Sequence, residues 1–257
     1  MTNRPLILVS NDDGITAPGI RNLVDAIKHL GEVVIVAPDS PQSAMGHAVT
    51  ISKPLRLDQT DIYGNIKAYQ CSGTPADCVK LAVDKVLHRK PDLLVSGINH
   101  GSNSSINVLY SGTMSAAMEG AIEGIPAVGF SLCDFAYDAD FSYAKKVATR
   151  VAENILKNGL PQGTLLNVNI PDTPEADIKG IKICRQANAK WKEEFNERLD
   201  PNGRKYFWLS GKFINNDKGE DTDEWALANN YVSIVPVHFD LTAHHAIPFL
   251  NDWTFSI

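Results

Sequence analysis

Short, continuous apolar runs alternate with stretches of helical periodicity through the first two thirds of the chain. Pro5–Ser10, Val33–Ala37, Asp92–Gly97, Ile125–Ser131 and Leu165–Ile170 are rich in β-branched residues and bounded by Gly, Pro, Asn or Asp. Runs of this kind predict strands buried on both faces of a parallel sheet. Between the first two, Pro18 and Gly19 open a segment in which Ile20, Leu23, Val24, Ile27 and Leu30 recur at helical spacing, with Gly31 placed for a left-handed cap. Thr74-Pro75-Ala76-Asp77 supplies an N-cap, a first-turn proline and an acidic third position, predicting a helix to about Leu87. Further helices are expected over Thr113–Glu123 and Ala139–Leu156, the latter with a stripe of Ala144, Val147, Val151 and Ile155. Residues 48–70 alternate well enough for a β-hairpin or an extended excursion with a turn near Tyr63-Gly64-Asn65. The order is that of an α/β protein with right-handed parallel crossovers.

The texture changes near residue 185. Trp191, Phe195, Tyr206, Phe207 and Trp208 stand among charged and Gly/Asn-rich stretches, Asn215–Asp223 is a polar loop, and Tyr231–Val237 is strand-like again. The expectation is a catalytic core over 1–185 and a β-rich extension over 186–257, partly packed on the core and serving as a lid or an oligomer contact.

At 257 residues with 44% hydrophobic and 21% charged content, the chain has an ordinary globular composition. A net charge of −6 without a Lys/Arg-rich block argues against binding to a nucleic-acid duplex. No apolar run is long enough to span a bilayer and no charged leader with an apolar stretch is seen, so a cytoplasmic protein without membrane contact is expected. Cys71, Cys78, Cys133 and Cys184 form no C-x-x-C pair and read as reduced, packed thiols.

Chemistry concentrates where loops follow strand ends, because open α/β sheets bind ligands on that rim. Asn11-Asp12-Asp13-Gly14 puts two carboxylates directly after the first strand. Crowded like charges call for a cation or a donor network, although a solvated Asp-Gly turn gives the same sequence. The loop after the second strand carries Ser40 and Ser43, and Asn99 follows the third. Two carboxylates, a hydroxyl and an amide oxygen suit a hard cation such as Mg²⁺, Mn²⁺ or Ca²⁺, while each small polar loop residue alone more often satisfies backbone groups. Ser111-Gly112-Thr113 opens a helix whose free N–H groups and dipole favour a phosphate, and Thr113 as a plain cap is the alternative. Neither a P-loop, a G-x-G-x-x-G turn nor a G-x-S-x-G elbow occurs. His244 and His245 read as packing or interface residues, and His47, beside the Ser43 loop, as support for the site.

Taken together, Val9–Ile15, Val36–Asp39 with Ser43–His47, Gly73–Val79, Val95–Gly101, Tyr110–Thr113 and Asp240–His244 resemble, in order, the motifs of the SurE family (survival protein E, metal-dependent 5′-nucleotidases). The resemblance implies a three-layer α/β/α sandwich with a Rossmann-like, mostly parallel sheet and a C-terminal oligomerisation extension that exchanges elements in homodimers or homotetramers. It implies hydrolysis of nucleoside 5′-monophosphates, with 3′-nucleotides and short polyphosphate as further substrates. By position, the metal ligands fall on Asp12, Asp13, Ser43 and Asn99, with Asp12 and Asp13 catalytic. Asn11, Ser111, Gly112 and Thr113 fall near the bound phosphate. The expected cofactor is one divalent cation, Mg²⁺ or Mn²⁺, and metal-activated water is the preferred nucleophile. Departures from the family pattern lie mainly in residues 186–224, around Lys190-Trp191-Lys192-Glu193-Glu194. A nucleotide-sugar glycosyltransferase and a non-catalytic nucleotide sensor are the competing readings of the same pocket.

Overall fold

The structure is a computed structural model that describes residues 4–136 and 138–255; the outer ends of the two expected segments, 1–3 and 256–257, lie outside the described residues. The chain runs β1 (Leu6–Ser10), α1 (Pro18–Ile27), β2 (Glu32–Pro38), β3 (Leu57–Thr60), β4 (Lys67–Cys71) and α2 (Pro75–Leu81). It continues through β5 (Leu93–His100), α3 (Gly112–Ile122), β6 (Ala127–Leu132), α4 (Ser142–Asn158), β7 (Thr164–Ile170) and β8 (Gly180–Ile183). The last third holds β9 (Ala189–Leu199), β10 (Lys205–Asn215), α5 (Asp223–Ala228), β11 (Tyr231–His238) and α6 (Ile247–Asn251).

Nine strands form one sheet in the order β3-β4-β2-β1-β5-β6-β7-β11-β8. The six from β4 to β7 are mutually parallel, whereas β3 and β11 run antiparallel to β4 and β7. Side chains alternate across each strand, and β1 shows the result. Ile7 and Val9 enter a core with Ile20, Leu23 and Ile27 of α1 and Val147, Val151 and Ile155 of α4. Leu6 and Leu8 face the opposite core, built with Cys78 and Val79 of α2 and Met114 and Ala117 of α3. Helices thus cover both faces, which is why the central strands are apolar without alternation.

The hairpin expected over 48–70 is β3–β4, with Gly64 in the left-handed region at φ +61°. Thr74 caps α2 through a reciprocal capping box with Asp77, but α-helical geometry ends at Leu81 and a π-helical turn carries the chain from Ala82 to Val86. Gly31 is not a left-handed cap. α1 closes on Lys28, whose N–H bonds the Val24 carbonyl, and glycine is required at position 31 because a Cβ would stand 2.2 Å from the Pro5 carbonyl oxygen. That carbonyl also accepts the Glu32 N–H at 2.7 Å, the bond that aligns β2 with β1. Gly31→Ala is therefore expected to cost about 1–3 kcal/mol, measured as a lower midpoint in urea unfolding.

Beyond residue 185 the chain leaves the sheet and then returns to it. β9 and β10 pair into a long antiparallel hairpin, an element not anticipated from the sequence. The chain then returns through α5, and β11 enters the main sheet between β7 and β8. Asp223 locks this return. Buried at the start of α5, its carboxylate accepts from Ser105 N (2.7 Å) and Ala187 N (2.9 Å). The segment expected as an extension thus contributes β11 to the main sheet. All four cysteines are free, and among the described residues no helix is long and apolar enough to cross a membrane.

Candidate active site

The site is built where β1, β2 and β5 end. At the tip of β1 the chain turns through Asn11–Gly14, held by Asn11 Nδ2 donating to the Gly14 carbonyl (2.9 Å), with Gly14 at φ +94°. The Asp12 carbonyl accepts Gln42 N–H at 2.7 Å, tying this turn to the loop after β2. Farther along that loop, Ser115 Oγ donates to the Gly46 carbonyl (2.6 Å) and His47 Nε2 bonds Glu119 Oε2 (2.8 Å). Glu119, buried on α3, also accepts from Lys80 Nζ at 2.6 Å. His47 therefore fixes the base of the loop that carries Ser43, as its sequence position suggested.

β5 runs past Gly97, where the apolar run ends, to His100. Its register against β6 shifts between Ser96 and Asn99, so Asn99 and His100 still pair with Ser131 and Leu132. A β-bulge of this kind re-aims side chains at a rim, and Gly97 admits it because a Cβ there would lie 2.4 Å from the Phe130 carbonyl oxygen. Asn99 Nδ2 is engaged by the carbonyls of His100 (3.2 Å) and Gly101 (2.8 Å), which leaves its amide oxygen as the free end of the group.

Asp12, Asp13, Ser43, Asn99, His100 and Ser111 line one cavity of about 670 Å³. Of the residues expected near a phosphate, only Ser111 reaches this lining. Asn11, Gly112 and Thr113 stand behind it. Thr113 Oγ1 donates to Asp12 Oδ1, and the Ser111 hydroxyl accepts Met114 N–H as the cap of α3 (3.0 Å). Gly112 lies against Asp12, where a Cβ would be 2.6 Å from the Asp12 Cβ. The positive start of α3 is thus applied to the Asp12 carboxylate. His100, Trp191, Phe213 and Glu224 also line the cavity and were not singled out from the sequence. His100 carried a signal, as the residue after Asn99; the other three lie in the segment that matched no motif.

Burial first, and the adjacent Asp13 second, push the Asp12 carboxyl up to about 6, against the Thr113 hydroxyl and amide, which favour its ionised form. Burial also raises Asp13, opposed by His100. Asp13 Oδ2 and Asn11 Oδ1 are buried without a hydrogen-bond partner among the described residues. Unmatched carboxylate oxygen next to a second buried carboxylate is costly unless a cation is bound. The set fits a hard divalent ion: two carboxylates with neutral amide and hydroxyl oxygens lining one cavity.

A three-layer α/β sandwich with a carboxylate-bearing cavity at the carboxyl rim of its parallel strands belongs to the class of open α/β-sheet proteins that bind their ligands there. The family described as "Survival protein SurE" matches residues 7–193. Proteins named 5′-nucleotidase SurE from Christiangramia forsetii and Cytophaga hutchinsonii are 65% and 63% identical, over 98% of this chain and 97% and 98% of theirs. The crystal structure of the SurE protein from Aquifex aeolicus superposes with a TM-score of 0.82 at 41% identity, covering 96% of this chain and all of that one. The chain belongs to the SurE family.

Proposed function

We propose that this protein is a metal-dependent 5′-nucleotidase that hydrolyses nucleoside 5′-monophosphates to nucleoside and phosphate. The observation that carries the reading is the adjacent pair of carboxylates, buried Asp12 and half-buried Asp13, the latter with one oxygen lacking a hydrogen-bond partner among the described residues, in a cavity large enough for a nucleotide. Relatives that align over nearly their whole length and bear the name 5′-nucleotidase support it. Asp12, Asp13, Asn99 and Ser43 would hold one Mg²⁺ or Mn²⁺. When bound, the ion supplies Lewis-acid polarisation of the phosphoryl oxygens and neutralises charge in the transition state. Thr113 keeps Asp12 ionised and oriented, and Asn11 shapes the turn that presents both carboxylates. Ser111, at the cavity wall, contacts the phosphate end of the substrate. His100 lines the cavity beside Asp13 and favours its ionised form.

We infer also that copies of the chain associate. The exposed apolar side chains Phe207, Trp208, Leu209, Leu241, Phe249 and Trp253, all in the last third, support a subunit contact there.

Phosphate release from AMP is expected with Mg²⁺ or Mn²⁺, to vanish with EDTA and return on adding metal. Asp13→Asn is expected to lose at least about a hundredfold in kcat/KM. Full activity in EDTA overturns the metal role. Turnover of a sugar nucleotide onto an acceptor, or AMP binding without phosphate release, overturns the nucleotidase.

A further inference from the structure

The four residues assigned to the cation have unequal support. Asp12 and Asp13 follow β1 directly and Asn99 belongs to β5, whereas Ser43 lies on the loop between β2 and β3. That loop is tied down on either side of Ser43 but not at it. Before it, Gln42 N–H donates to the Asp12 carbonyl (2.7 Å); after it, Gly46 N–H donates to the Tyr110 carbonyl (3.1 Å). No hydrogen bond to Ser43, Ala44 or Met45 is found among the described residues. Ala44 nonetheless stands in the left-handed region at φ +59°, a conformation that a residue with a Cβ keeps only where its surroundings impose it. His47 supplies that constraint. Its Nε2 donates to Oε2 of the buried Glu119 at 2.8 Å, while Lys80 Nζ donates to Oε1 at 2.6 Å. Burial opposes the charge on Glu119, and the two donors outweigh it and hold the carboxyl below its usual range. Charge-assisted bonds to both oxygens make a strong fastening. The helix that carries Glu119, α3, also fixes Asp12 through Thr113. One rigid helix therefore sets both a carboxylate of the site and the loop that bears its hydroxyl.

We propose that His47 and Glu119 are positioning residues for the cation site, their bond latching the β2–β3 loop so that Ser43 stays at the cavity with Asp12 and Asp13. Neither residue lines the cavity, so the latch acts only through the loop. The inference rests on the metal site of the nucleotidase reading and adds a control of that site from outside it. Beyond His47 the chain is held by α2, where Thr74 Oγ1 donates to the Ala48 carbonyl (2.7 Å) and Asp77 Oδ1 accepts the Thr50 N–H (3.0 Å). Breaking the latch therefore frees the tip of the loop while its outer leg stays in place.

The test measures Mn²⁺ binding by calorimetry and amide hydrogen exchange in the full-length protein. His47→Ala is expected to weaken Mn²⁺ binding by about tenfold and to speed exchange of the Gly46 amide, while β1 and β5 keep their protection. His47→Gln, whose side-chain amide can donate to the same carboxylate, is expected to restore most of both. Because the latch acts through Ser43, His47→Ala placed on top of Ser43→Ala is expected to cost no further affinity. A general loss of packing would instead add to the Ser43→Ala effect. Additive losses, or Mn²⁺ affinity unmoved by His47→Ala, overturn the proposal. Glu119→Gln, which leaves one acceptor for two donors, is expected to move both readouts in the same direction and serves where His47→Ala is too unstable to measure. Should the wild type bind neither Mn²⁺ nor Mg²⁺, the metal reading falls by itself and exchange decides the latch. Faster exchange at Gly46 in His47→Ala then upholds it, and unchanged exchange overturns it.

Discussion

Asp12→Asn should abolish phosphate release and, in metal-free protein at neutral to alkaline pH, make the fold more stable. The first effect follows from losing one of the two charges that would hold the cation, and about a thousandfold in kcat is expected. The second follows from the Asp12 carboxyl being raised from 3.8 to about 6, chiefly by burial. A folded-state value above the unfolded one means that the folded protein holds the proton more tightly. The contribution of Asp12 is therefore neutral below about pH 3.8, becomes unfavourable through the interval, and is fully unfavourable above about pH 6. A shift of that size corresponds to roughly 3 kcal/mol. Urea unfolding of wild type and Asp12→Asn in EDTA, at pH 4 and pH 8, should give midpoints that coincide at the lower pH and favour the variant at the higher. Adding Mg²⁺ or Mn²⁺ should raise the wild type and leave the variant unmoved. A variant less stable than wild type at pH 8 in EDTA would show that Asp12 is compensated by protein groups alone.

Gly112→Ala should be nearly as damaging to activity, although it removes no functional group. A Cβ at Gly112 would stand 2.6 Å from Asp12 Cβ and 2.9 Å from Asp12 Oδ2. Both partners are confined, Gly112 as the first residue of α3 and Asp12 by the Thr113 hydroxyl and the Gln42 amide. The carboxylate must therefore shift, and displacement of a reacting group by about an ångström costs on the order of a hundredfold in rate. Overpacking should add a stability loss of about 1–3 kcal/mol. Metal affinity measured by calorimetry should fall along with kcat. Unchanged metal binding in a folded Gly112→Ala would place Asp12 outside the cation site.

Much of the site was legible because its residues sit where local rules apply. The strand ends at Ser10 and Pro38 follow from apolar runs and breakers, and loops after parallel strands converge whatever their sequence. Asp12, Asp13, Ser43 and Asn99 could be brought to one rim on that basis, and they line one cavity. The side chain of Thr113 was not legible. A threonine at a helix start caps, binds a ligand or supports a neighbour depending on what the other chain segment presents, and here Asp12 is what it meets. The extent of β5 was hidden for the same reason: Ile98–His100 reads as loop, and only its pairing with β6 keeps it in the sheet. The hairpin of β9 and β10 was missed because it is exposed along nearly its whole length. Without a buried face there is no two-residue alternation to read.

The late insertion of β11 has a consequence for how the molecule is made. Among the described residues β8 pairs in the sheet with β11, which is completed at His238, and with no other strand. During vectorial synthesis the parallel sheet from β4 to β7 can assemble early, while β7 keeps an unsatisfied outer edge and β8 waits for more than the length of the hairpin to emerge. An unpaired edge on a nascent chain is open to the same edge of a neighbouring chain. Ribosomes stalled before residue 238 should therefore carry the species most prone to mispairing.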